Sequence, residues 1–248
     1  MTQTLYGSYK LSLMEYLLYG LIYLSVSGII SYLFYDSLIP ILFIIPFMNI
    51  YYRYISHFLC NKRKSTLILQ FRDMINSISV SLNSGYSIEN SLKDANREIL
   101  ILYGKNSYIH NEINIMLKKL AINIPIEKIF SDFAMRSECN DIIMFSQILV
   151  IAKRNGGDLI SIIKSSSETI GEKIDIKREI ESAVSSKKFE QNIMFLMPVV
   201  IMLYIRISSR GFYDSVYHNM TGVFFMTICL LIYISAIIIG LKLSTVKI

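Results

Sequence analysis

Residues Tyr16–Tyr35 read YLLYGLIYLSVSGIISYLFY, twenty positions without an Asp, Glu, Lys or Arg. A helix that crosses about 30 Å of hydrocarbon needs roughly 20 mostly apolar residues, and this window has that length. Three further windows lack all four charged types: Ser37–Tyr52, Gln191–Ile205 and Ser215–Leu241. The last is long enough by itself. The second gains the length by running on to about Phe58 with Arg53 snorkelling toward the headgroups, and the third by running from about Phe189 to Ser208 with Arg206 reaching outward. The pattern predicts four transmembrane helices, at about 14–35, 37–58, 189–208 and 221–241. The first is not expected to be a cleaved signal: a signal core is roughly 7–15 residues long, and the small triplet Ser25-Val26-Ser27 lies inside the run instead of after it.

Composition agrees. The 248 residues are 53% hydrophobic with a mean hydropathy of +0.45, and only 18% are charged, where a soluble domain carries about a quarter. That apolarity excludes a disordered chain, and 11 Gly with 4 Pro exclude a collagen-like one. Three cysteines, Cys60, Cys139 and Cys229, are too few and too scattered for a disulfide scaffold or a cysteine-based zinc site.

The charges are sorted along the chain. Residues 59–190 hold 19 of the 25 basic and 16 of the 19 acidic residues, a net of +3. Lys and Arg near the ends of spans set orientation. With the N-terminus inside, the inner flanks carry nine of them (Lys10, Arg53, Lys62, Arg63, Lys64, Lys187, Lys188, Lys242, Lys247) and the outer loops two, Arg206 and Arg210. Both termini and the charged segment are therefore expected in the cytoplasm, and topology accounts for the basic excess without nucleic acid. The expected organisation is a membrane hairpin over 1–58, a cytoplasmic all-α domain over 59–188 and a second membrane hairpin over 189–248.

Inside the charged segment apolar residues recur at helical spacing and nowhere with a sustained period of two. The stripes are Phe71, Met74, Ile75, Ile78 and Leu82; Ile88, Leu92, Ala95 and Ile99; Ile113, Met116, Leu117 and Leu120; Ile126, Ile129, Phe130 and Phe133; Ile148, Leu149 and Ala152; and Leu159, Ile162 and Ile163. Six helices are predicted, with tight junctions between them. Ser84-Gly85 ends the first helix and Ser87 caps the second, with Glu89 in its first turn. Pro125 is expected as the first helical residue of the fourth, followed by Glu127. In Asn155-Gly156-Gly157-Asp158 one helix stops and Asp158 caps the next. Ile88-Glu89, Leu92 and Asp94 match Ile126-Glu127, Phe130 and Asp132 at an offset of 38, the mark of stacked helical hairpins. The last helix has no Pro and only Gly171 before Lys188, so it is expected to run into the third span as a stalk that passes movement of the domain to the membrane.

Catalytic patterns are not legible. His57, His110 and His218 are isolated, Tyr103-Gly104-Lys105-Asn106 lacks the upstream Gly and the Ser/Thr of a phosphate loop, and Gly156-Gly157 lacks the third glycine of a dinucleotide turn. A helix cap explains that glycine pair better. No acid, base or Lys/Arg sits in the core of a span, where ion and proton paths need them. The chain is expected to be no enzyme, with no catalytic, cofactor or metal residues.

Four stretches carry a resemblance: Phe71-Arg72-Asp73; Ser81-Leu82-Asn83-Ser84-Gly85-Tyr86-Ser87-Ile88-Glu89; Phe130-Ser131-Asp132-Phe133-Ala134-Met135-Arg136-Ser137; and Ala152-Lys153-Arg154-Asn155-Gly156-Gly157-Asp158-Leu159. Together they resemble the type II secretion system F domain, the cytoplasmic six-helix domain of platform proteins in secretion and pilus machines. Two spans, one such domain and two further spans look like the TadB/TadC branch, from tight-adherence (Flp) pilus assembly. The resemblance implies a multi-pass platform in a prokaryotic plasma membrane, coupling a cytoplasmic assembly ATPase to insertion of pilin or pseudopilin subunits, without catalytic residues of its own. The implied partners are that ATPase, a sibling F-domain protein, pilins and membrane lipid, in a homo- or hetero-oligomer. Exposed charges near turns that capping does not explain, Arg136, Lys153 and Arg154, are the expected ATPase or partner contacts. Two other readings compete. A membrane subunit of a transport system energised by a separate ATPase would need a polar path through the spans; a sensor would need a substantial outer domain.

Overall fold

The computed structural model describes residues 6–7, 9, 11–37, 39–154, 159–209, 211, 217 and 219–244, the side chains of 43, 152, 154, 159, 243 and 244 excepted. Among them every regular element is helical. In chain order these are α1 (Leu13–Tyr35), α2 (Ile41–Ile44), a 3-10 turn (Ile45–Phe47), α3 (Met48–Asn83), α4 (Ile88–Tyr103), α5 (Tyr108–Ala121), α6 (Ile126–Ser137), α7 (Asn140–Arg154), α8 (Leu159–Ser208) and α9 (Met220–Ser244). The chain divides into two compact units. A charged unit comprises Met1–Lys10 and Ile55–Ile176, and an apolar unit comprises Leu11–Tyr54 and Lys177–Ile248.

The charged unit is organised by its apolar stripes. Phe71, Met74, Ile75, Ile78 and Leu82 of α3 are buried together with Leu92, Ala95 and Ile99 of α4, Ile109, Ile113 and Met116 of α5, and Ile126, Ile129, Phe130 and Phe133 of α6. Phe145 stands edge-on to Phe71 and Phe130, with centroids 5.4 and 5.2 Å away. Neighbouring helices pair as hairpins, α4 with α5 and α6 with α7. One expected stripe is displaced in part: Leu149 is buried as expected, but Ile148 is 43% exposed, and α7 buries Ile142 and Phe145 beside Leu149. This helix carries apolar residues on both faces, so its periodicity does not choose the inner one.

The junctions show why the helices stop where they do. After α3, Gly85 takes φ +85°, the left-handed conformation that a side chain disfavours. The Tyr86 N–H then reaches back to the Ser81 carbonyl (3.2 Å) and the Gly85 N–H to that of Leu82 (3.0 Å), satisfying two terminal carbonyls. Ser87 opens α4 by accepting the Asn90 N–H on its side chain. The same closure recurs after α5 with Asn123 (φ +58°) in the glycine's place, Ile124 bonding to Lys119 and Asn123 to Leu120. Pro125 is the residue before the first helical one: it is extended (ψ 139°), and its carbonyl accepts the Lys128 and Ile129 N–H groups. The expected position is thus corrected by one residue. Ile88 and Ile126 each begin a helix, and Leu92 and Phe130 are each buried, so the repeated pattern starts α4 and α6 alike.

In the apolar unit three helices are long and apolar enough to cross a membrane: α1, α8 and α9. The chain has the make-up of a membrane protein. The most apolar stretches of α8 and α9 contain no buried residue, and apolar surface of that extent is not left to water in soluble monomers. The expected second span is not one helix. Residues 37–58 are broken into α2, the 3-10 turn with Pro46, and the start of α3, because proline removes a donor and crowds the preceding turn. The Ile44 carbonyl at the break is taken by the Tyr23 hydroxyl at 2.8 Å. Tyr16 and Tyr52 stack at 3.9 Å, and the Tyr52 hydroxyl donates to the Tyr16 carbonyl at 3.0 Å. Arg206 donates to the Tyr32 carbonyl at 2.7 Å and pairs with Asp36, just past the end of α1.

Candidate partner-binding site

Lys153 lies in the last turn of α7, beside the first turn of α6. Its Nζ donates to Glu127 Oε2 at 2.7 Å. Glu127 also sits where the exposed N–H groups of α6 make a positive end. The pair flanks an open groove of about 420 Å³ lined by Glu127, Lys128, Ser131, Val150 and Lys153. Partial burial alone would raise the Glu127 carboxyl, but the Lys153 hydrogen bond, its own backbone N–H and the charges of Lys153 and Lys128 outweigh this and hold it below the ordinary range. Lys153 is 46% exposed, and an ion pair so wetted contributes at most about 1 kcal/mol to stability. The groove therefore offers charge to a partner without spending much of the fold's stability on it.

Arg136 is placed differently from the expectation of an exposed charge. It is 8% exposed and clamps a fully buried carboxylate. Its Nη1 and Nη2 donate to Glu112 Oε1 and Oε2 at 2.9 and 2.7 Å, and its Nε donates to Asp132 Oδ2 at 3.1 Å. Lys119 reaches the same Asp132 oxygen at 2.5 Å. Burial would lower the guanidinium, but its bonds and charges to Glu112 and Asp132 prevail and raise it above its already high ordinary value. Asp132 is pushed up by burial and pulled down further by Lys119 and Arg136, ending below the ordinary carboxylate range. The planar fork of arginine matches two carboxylate oxygens at once. Removing one partner of a buried pair leaves an uncompensated charge at a cost of about 3–5 kcal/mol. Arg136 thus joins α6 to α5, its guanidinium committed to Glu112 and Asp132 instead of standing as an exposed charge.

Arg154 is the last residue of α7, and its side chain lies outside the described set, as do Gly156, Gly157 and Asp158 entirely. Gly85, Ser87 and Pro125 stand at helix junctions as described above. Of the cysteines, Cys60 and Cys139 are buried and Cys229 is exposed on α9. Burial pushes the Cys139 thiol up to about 11, which keeps it protonated and unreactive at neutral pH.

Glu112 escaped the reading of the sequence, although a signal existed. It falls on the stripe Ile109, Glu112, Ile113, Met116, and Arg136 continues Ile129 and Phe133 at helical spacing. A carboxylate and a guanidinium on buried stripes of consecutive helices point to each other, because neither is tolerated inside alone. Among the described residues no group of three or more His, Cys, Asp or Glu is arranged to hold a metal ion. No family model matches the chain, and neither a curated protein nor a solved structure does.

Proposed function

We propose that this chain is a non-enzymatic platform protein of a type II secretion or type IV (Flp/Tad) pilus assembly machine in a prokaryotic plasma membrane. In this reading a cytoplasmic ATPase binds the charged unit, whose α3–α8 helices form a six-helix domain, and its movement is passed to pilin subunits in the membrane. The observation that carries the reading is the continuity of α3 (Met48–Asn83) and α8 (Leu159–Ser208), each running without a break from one unit's residues into the other's. A helix resists bending and stretching over its length, so such elements suit transmission better than a hinged linker would. The apolar unit supplies four membrane segments in this reading, the second one broken at Pro46, with both termini on the cytoplasmic side as the Lys/Arg bias favours.

The groove at Glu127, Lys128 and Lys153 is the proposed ATPase contact, in place of Arg136. The test is deletion of the gene in its own cell. The platform reading expects surface filaments or a secreted product to disappear, restored by the wild-type chain and poorly restored by Lys153→Glu. A solute-uptake defect with filaments intact would favour the transport-subunit alternative and overturn the platform reading.

A further inference from the structure

Near the start of the chain, Tyr6 and Gly7 sit against the charged unit in the manner of a bound peptide. Tyr6 is 1% exposed. Its hydroxyl donates to Glu112 Oε1 at 3.1 Å, its backbone N–H donates to the Arg136 carbonyl at 3.0 Å, and its own carbonyl accepts the Cys60 thiol at 3.4 Å. The Arg63 guanidinium stands 5.1 Å over the Tyr6 ring, and Tyr108 meets it edge-on at 6.0 Å. Further along, the Cys60 thiol also reaches the Gly7 carbonyl at 3.5 Å, and Ser56 Oγ donates to the Tyr9 carbonyl at 2.6 Å. A Cβ on Gly7 would meet the Glu138 carboxyl, which is held by Lys64.

Two features distinguish this arrangement from ordinary packing. Among the described residues of this segment none belongs to a helix, so it is held by side-chain locks and a few main-chain bonds. Glu112 does not rely on the tyrosine alone: both of its oxygens also accept from Arg136. A buried carboxylate already neutralised by arginine, with a lone pair aimed at a phenol and a cation over the ring, is a recognition site for tyrosine.

We propose that Cys60, Arg63, Tyr108, Glu112 and Arg136 form a tyrosine-recognition site that the chain's own Tyr6 occupies as a strap, in competition with an extended tyrosine–glycine segment of a protein partner. Opening the strap exposes the site, and closing it excludes the partner. This does not depend on the platform reading.

The Cys60 thiol reports the state of the strap, because Tyr6 and Gly7 cover it and thiol labelling follows access. The full chain is used in detergent with Cys139→Ser and Cys229→Ser, leaving Cys60 as its single thiol. Tyr6→Ala is expected to speed maleimide labelling of Cys60 by about tenfold or more, the loss of one hydrogen bond to a charged group. The hexapeptide TLYGSY, the sequence of residues 4–9, then slows labelling again. TLAGSY leaves it fast, and TLFGSY, lacking only the hydroxyl, protects about tenfold less well. Tyr6→Phe, which keeps the ring in place, gives an intermediate rate and guards against misfolding of the alanine variant. Unchanged labelling in both variants, or equal protection by TLYGSY and TLAGSY, overturns the proposal.

Discussion

The two units of this chain are held together by different means. In the charged unit the core is apolar and interior: Phe71, Phe133, Phe145, Ile75 and Ile113 are almost wholly removed from solvent, and the buried Glu112 carboxylate is paired with Arg136. In the apolar unit the side chains that dominate the sequence point outward, and Phe224, Phe225, Leu231 and Ile232 of α9 are each more than 60% exposed. Polar contacts join its helices beside the stacked tyrosines: Tyr233 donates to the Phe195 carbonyl, Tyr217 to that of Leu33 at 2.5 Å, and Tyr35 shares a hydrogen bond with Thr227 at 3.0 Å. Water drives apolar surfaces together. Lipid does not, so helices there associate through close packing and hydrogen bonds. One chain uses both solutions, and the change of solution follows the change of solvent that its composition implies.

The comparison can be broken most forcefully at the aromatic core. Phe133→Ala should destabilise the charged unit by about 3–5 kcal/mol, while Phe225→Ala on α9 leaves stability in lipid nearly unchanged. Denaturant unfolding of the two variants in lipid micelles decides it, and equal effects would remove the distinction. A smaller change is expected at the α3–α4 junction. Gly85→Ala forces a side chain into the left-handed region and should cost about 1–2 kcal/mol, measured in the same titration.

Acid should also separate the two units. The Asp132 and Glu127 carboxyls lie below their ordinary range in the fold. The stability they contribute is therefore complete above the unfolded values of roughly 4 and is lost as the pH falls through the lower folded values. Unfolding midpoints of the charged unit should fall on acidification below about pH 4, and Asp132→Asn should flatten that fall. A fall that Asp132→Asn leaves unchanged would place the acid sensitivity elsewhere. The smallest effect sharpens the other side of the comparison. Tyr233→Phe deletes one interhelical hydrogen bond of the apolar unit and should cost about 0.6 kcal/mol, with roughly 1.7 as the upper bound. Thermal unfolding in bilayers reads it.

Much of this architecture is legible in the residues because the physical signals are local. The stripes of α3 to α6 follow from helical spacing, and Gly85 and Ser87 stand where a left-handed turn and a cap demand them. What was not legible required partners distant in sequence. Arg136 looks like a surface charge until Glu112, 24 residues away, is seen to answer it. The break within residues 37–58 follows from how Pro40 and Pro46 are accommodated, which an uncharged window does not report. On α7 the spacing was ambiguous because Met144, Ile148 and Ile151 are apolar yet exposed.

The most direct test of the platform reading is purification of the tagged chain from its own membranes in mild detergent, with mass spectrometry of the proteins that accompany it. The reading predicts a hexameric secretion-type ATPase, a second F-domain protein and small pilins, with the ATPase depleted by Lys153→Glu while the fold is kept. Recovery of a nucleotide-binding transport subunit and a solute-binding protein in their place would contradict it.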